Sequence, residues 1–283
     1  MDARPIAISW RSVDRPAAWG MVVAVARTAL LAGVYVVAAK AAFALAFVHT
    51  SIAPIWPPSG IALAAVLLLG RGAVPGVLLG AFLFNASTPV PLWVSAAMAI
   101  GNTTEAVAGA FMLRRAGFRR EIDRVRDVLA LAGLGALVST AISASVGVGS
   151  LWLSGILPDS QLRVGWAILW FGDASGMLTV APLLLLARRQ WRRPAPRELL
   201  EAAALAATLG LIVQSGLTAP DARPVLVFPA LVWAAVRFRQ TGAALASLFV
   251  SAAVVWLTVH DRGPFVDPSL AQSLLLTQPP PAR

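Results

Sequence analysis

Apolar residues run through this chain in nine long stretches, 18–48, 55–70, 73–88, 91–113, 128–150, 164–187, 199–217, 224–237 and 241–259, parted by short connectors rich in arginine, proline and glycine. Stretches of that length without strand-like alternation predict helices, and about 20 apolar residues cross a hydrocarbon core of about 30 Å. The pattern predicts an all-α, polytopic integral membrane bundle of about nine spans. Runs 55–70 and 73–88 are short and interrupted by Pro57, Pro58 and Pro75. They read as two short spans or as a re-entrant pair, and either choice preserves the parity of the remaining spans.

Composition agrees with that reading. The chain is 58% hydrophobic and 13% charged, where soluble domains average about 45–50% and about 25%. It has no cysteine, which excludes disulfides, thiolate catalysis and cysteine-ligated metal. The net charge of +10 would point to nucleic acid in a soluble domain. Here the basic residues sort by connector: Arg4, Arg11 and Arg15, then Arg71, then 114–126, 188–197, and Arg237 with Arg239 account for 17 of the 23. The alternate connectors carry only Arg163, Arg223 and Arg262. The positive-inside rule therefore predicts a cytoplasmic N-terminus and removes any need for a nucleic-acid partner.

The expected organisation is a cytoplasmic N-terminal segment over 1–17, one membrane domain over 18–276, and a short tail over 277–283 with no output domain. The first run is too long for the usual 7–15 residue apolar region of a signal peptide, so it is read as retained. The connector 114–127 reads as a solvated topogenic loop. The alternative is a surface helix carrying Phe118, Ile122 and Val125 on one face. A weak internal echo pairs SGIALAAVLLL (59–69) with SGMLTVAPLLL (175–185), identical at six of eleven positions.

Ionisable residues deep in a bilayer cost about 2.5–3.5 kcal/mol each, so they are the default functional candidates. Four fall deep inside predicted spans, away from the run ends: Arg27, Lys40, Glu105 and Asp173. At 1.5 Å per residue, Asp173 and Lys40 lie roughly 12–14 Å from one surface, and Arg27 and Glu105 roughly 12–13 Å from the other. Matching depth predicts a Lys40–Asp173 pair and an Arg27–Glu105 pair. Asn102 and Glu105, three residues apart, share a helix face, and Gly101, Ala108 and Gly109 admit a close neighbouring helix. At 51–60, SIAPIWPPSG places Trp56 near the outer interface and breaks the helix at Pro57 and Pro58. Catalytic patterns are thin: there is no metal-protease motif, phosphate loop or sequence-local triad. The chain reads as no enzyme, with no cofactor and no metal.

Four segments, IWPPSGIALAAVLLLGR (55–71), AIGNTTEAVAGAFMLRR (99–115), WFGDASGMLTVAPLLL (170–185) and FPALVWAAVRFRQTGAAL (228–245) followed by RGPF (262–265), occur in the order found in one family. Over nearly the whole chain the sequence resembles the first family of membrane-associated sensor domains, the MASE type. The resemblance implies a bacterial inner-membrane sensory module that regulates a cytoplasmic kinase or diguanylate cyclase output, fused or separate. Its polar motifs fall here on Trp56, Pro57, Pro58, Asn102, Glu105, Gly172 and Asp173. The expected partners are the bilayer, an output protein or a second copy, and a small-molecule ligand. The alternative reading is a secondary transporter, or the membrane-embedded solute-binding component of one.

Overall fold

The structure, a computed structural model, describes residues 17–47, 55–187, 195–216 and 226–259. Among these there is no β-strand. In chain order the helices are α1 (Ala17–Phe47), α2 (Pro57–Leu69), α3 (Val74–Ala86), α4 (Leu92–Arg115), α5 (Val125–Ala130), α6 (Thr140–Leu153), α7 (Leu162–Leu186), α8 (Pro196–Leu211) and α9 (Val227–Val259). A π-helical stretch, Leu131–Val138, joins α5 to α6 into one rod. The last two predicted runs merge into α9, which breaks at Arg239 (φ 56°, ψ −148°).

Four segments are long and apolar enough to cross a membrane: Trp19–Ala44, Pro57–Ala86, Val125–Leu153 and Asp159–Leu186. The second does not run straight. Gly70 has φ 68° and ψ −146°, a conformation open to glycine but strained for other residues, and a 3-10 turn, Gly70–Ala73, follows it. The chain folds back there, bringing the Trp56 ring at the start of α2 within 5.3 Å (centroids) of Phe84 near the end of α3. The segment is a hairpin of two 13-residue helices, each about 20 Å long and shorter than a bilayer core.

This hairpin organises the core. A helix apolar on every side belongs in the interior, and α2 is buried continuously over Pro58–Gly60 and Ala62–Leu67. It packs most extensively on α7 and also on α4 and α1, while α3 fits between α1 and α4, and α6 between α4 and α7. Leu63, Leu67, Val77, Leu113, Met177 and Tyr35 fill the shared core. Helices α8 and α9 build a smaller one from Leu205, Leu209, Ala230, Ala234 and Ala246, with an Arg237–Glu201 ion pair between them.

The connector 114–127 forms no surface helix over Phe118–Val125. Residues 116–124 make a folded turn with Ile122 at φ 50° and buried, Phe118 packed on the core, and Val125 exposed at the start of α5. Its anchor is Asp127, fully buried, which accepts from the Arg119 backbone N–H (3.0 Å) and from Arg124 Nε and Nη2 (2.9 and 2.6 Å). Arg124 and Arg126 also donate to the Gly117 and Ala116 carbonyls. The arginine heads stay largely exposed, while the backbone beneath them is ordered by one buried acid.

Candidate functional site

The start of α2 lies inside the bundle. The Trp56 backbone N–H donates to the Gly172 carbonyl at 2.9 Å, ten residues, or about 15 Å, into α7. A helix beginning at that depth would strand up to four N–H groups. Here the first two helical positions are Pro57 and Pro58, which have none, and the Ser59 N–H reaches the Trp56 carbonyl at 3.2 Å. The double proline thus lets a helix start with two fewer N–H groups to satisfy.

The close approach of α2 to α7 needs glycine on both sides. A Cβ on Gly176 would collide with the Trp56 carbonyl group, and one on Gly60 with the Gly176 carbonyl oxygen. The helices run parallel in a register that matches 56 with 172 and 60 with 176. That is the same offset of 116 residues at which the two Ser-Gly segments echo each other in sequence. The echoing segments are packing partners.

At this level five helices deliver polar side chains to one cluster. Asp173 on α7 is buried, and each carboxylate oxygen accepts a hydroxyl: Ser59 Oγ from α2 on Oδ1 and Ser143 Oγ from α6 on Oδ2, both at 2.7 Å. Glu105 on α4 is 1% exposed and lies beside Asp173, Ser59 and Ser143, yet neither of its carboxyl oxygens has a hydrogen-bond partner. Tyr35 on α1, fully buried, accepts from Asn102 Nδ2 at 3.0 Å and adjoins Trp56. Ser59, which donates to Asp173, lies in the first turn of α2, the positive end of its dipole.

The structure therefore brings together Trp56, Pro57, Pro58, Asn102, Glu105 and Asp173, and leaves Arg27 and Lys40 outside. Both cations are exposed on α1 without an ion-pair partner among the described residues. The predicted Lys40–Asp173 and Arg27–Glu105 pairs are not formed. Depth along an axis does not set direction around it: the buried stripe of α1 is Ala32, Tyr35, Ala39 and Ala42, and Lys40 is turned about 100° from Ala39. Instead of two acid–base pairs, the two acids neighbour each other, with serine hydroxyls and a helix start in place of cations.

Three members escaped the sequence reading. Tyr35 had a signal, being the only tyrosine in the chain. Ser59 sat unremarked inside WPPSG. Ser143 had none, since TAISAS looks like any small-residue helix; its neighbourhood is marked by the π-helical turn just before it, a feature enriched at functional sites. Among the described residues no group of three or more metal-ligating side chains occurs.

A family model, MASE1, matches residues 27–279. No curated protein and no solved structure matches the chain.

Proposed function

This chain belongs to the MASE1 family, and from that premise we propose that it is a sensory domain of the bacterial inner membrane that regulates a cytoplasmic output of the kinase or diguanylate cyclase type. The N-terminus and the arginine-rich connectors lie in the cytoplasm, and the helices cross the bilayer in about nine passes. The signal is read at the polar cluster around Asp173 and Glu105. The observation that carries this reading is Glu105: a fully buried carboxyl with no hydrogen-bond partner, beside a second acid, is costly to keep in a bundle whose only task is to fold. A switch needs two packings within a few kcal/mol of each other, and a cluster joining α1, α2, α4, α6 and α7 is placed to couple their arrangement to a small ligand, a lipid or a membrane partner.

The test is to express the chain with an output domain, fused through a cytoplasm-directed helix or supplied as a partner, and to measure output and membrane abundance together. Output that responds to Glu105 and Asp173 substitutions at unchanged abundance supports sensing. A second reading, a solute carrier or its membrane-embedded binding component, is favoured by the broken hairpin, whose helix start points at buried polar groups as in many transporters. Solute flux in proteoliposomes would replace the sensor reading with that one.

A further inference from the structure

At the other end of α2, away from the acids, a pocket of about 190 Å³ opens between the hairpin apex and α4. Val66, Val74, Val107 and Phe111 form its walls, and Arg71 and Arg114 its rim. Arg114 Nη2 donates to the Val66 carbonyl at 2.6 Å, holding that guanidinium over the end of α2. Arg115 stacks its guanidinium 5.1 Å from the centre of the Phe111 ring. Arg71 is exposed, and its guanidinium has no hydrogen-bond or ion-pair partner among the described residues. No acidic side chain lines the pocket.

Two guanidinium groups lining an apolar pocket, and a third, Arg115, stacked on the Phe111 ring beside it, with no carboxylate in the lining, match an amphiphile with an anionic head. Guanidinium forks fit phosphate oxygens with two parallel hydrogen bonds. The half-exposed flank of Val107 and Phe111 continues from the pocket along α4, which suits an acyl chain and gives a free anion nothing to bind. Basic pockets between membrane helices on the cytoplasmic side take acidic lipid head groups in this way.

We propose that this pocket is a binding site for an acidic phospholipid, its phosphodiester held by Arg71, Arg114 and Arg115 and one chain laid against Val74, Val107 and Phe111. The site is separate from the acid cluster and does not depend on the sensory reading. Arg71, partnerless and exposed, supplies the part of the affinity that can be removed without disturbing the fold.

The full chain is purified in mild detergent, exposed to mixed micelles of phosphatidylglycerol and phosphatidylcholine, and examined by native mass spectrometry. The expected result is selective retention of phosphatidylglycerol, weakened about five-fold or more in Arg71→Gln, as the loss of one arginine near an anionic surface predicts. Val74→Trp, which fills the pocket, should lower retention of both lipids at this site. Millimolar inorganic phosphate should compete poorly. Equal retention of the two lipids, undiminished selectivity in Arg71→Gln, or displacement of the lipid by inorganic phosphate alone would overturn the proposal. If Val74→Trp does not accumulate, the Arg71→Gln comparison decides by itself.

Discussion

Ser59 and Asp173, 114 residues apart in the chain, are joined by a hydrogen bond of 2.7 Å that ties the first turn of α2 to the middle of α7. Ser143 holds the other oxygen of the same carboxylate from α6. One side chain thus sets the relative rotation of three helices. A turn of any of them by one residue, about 100°, would remove a donor from it.

Ser59→Ala and Ser143→Ala should each destabilise the protein by about 1–2 kcal/mol, between the figures for hydrogen bonds to carboxylates and for those inside membranes. Both act on one acceptor, so the double variant should depart from additivity by about 0.5 kcal/mol or more. Denaturant unfolding of the purified protein checks this. Strict additivity would mean that the two serines do not share Asp173.

Gly176→Ala should cost about 1–3 kcal/mol, as overpacking does, because its Cβ meets backbone atoms of Trp56 that cannot rotate away. Gly149→Ala is the control, since nothing lies within 4 Å of a Cβ there, and it should be neutral or slightly stabilising in a helix. Equal effects at the two positions would show that α2 does not start against α7.

Asp127→Ala should loosen the 116–124 turn by about 1.5–3 kcal/mol, the range for hydrogen bonds to charged groups, and should expose the arginine connector to limited proteolysis. Asp127→Asn, which keeps an acceptor for the Arg119 N–H, should lie between it and the wild type. A protease pattern identical in all three would remove Asp127 as the anchor.

With no cysteine in the chain, single cysteines at Ala116 and Asp159 give a clean accessibility test of orientation. The arginine distribution predicts Ala116 protected and Asp159 labelled by an impermeant reagent added outside intact cells. The reverse pattern inverts the topology.

How far the site was legible in the sequence follows from what linear spacing can encode. The helices were legible, because apolar runs between Gly, Pro and Arg leave little else to form. Trp56, Asn102, Glu105 and Asp173, which the fold gathers in one place, stood out too, because charge and helix-breaking residues are rare in such runs. What spacing cannot carry is direction around a helix on which the apolar positions form no stripe. On α1 valine, alanine and leucine occur on every side, so nothing marked Tyr35 as inward or Lys40 as outward. The 116-residue echo is the converse case. It is faint among so many alanines and leucines, yet its glycines, Gly60 and Gly176, are positions at which α2 and α7 come too close for a Cβ.

The two acids should respond differently to neutral replacement. Neither oxygen of Glu105 has a hydrogen-bond donor to lose, so Glu105→Gln keeps volume and contacts and should change stability by less than about 1 kcal/mol. Asp173→Asn must turn an amide NH2 toward one of the two serine hydroxyls that now donate to it, and should cost about 1–3 kcal/mol. If the cluster reads a signal, the order reverses for output. Glu105→Gln removes a charge difference between two packed states without weakening either, so it should lock or silence the response at near-normal abundance. Membrane abundance and output per molecule, measured side by side for both variants, separate these effects. Loss of abundance in Glu105→Gln with output per molecule intact would make Glu105 a structural residue.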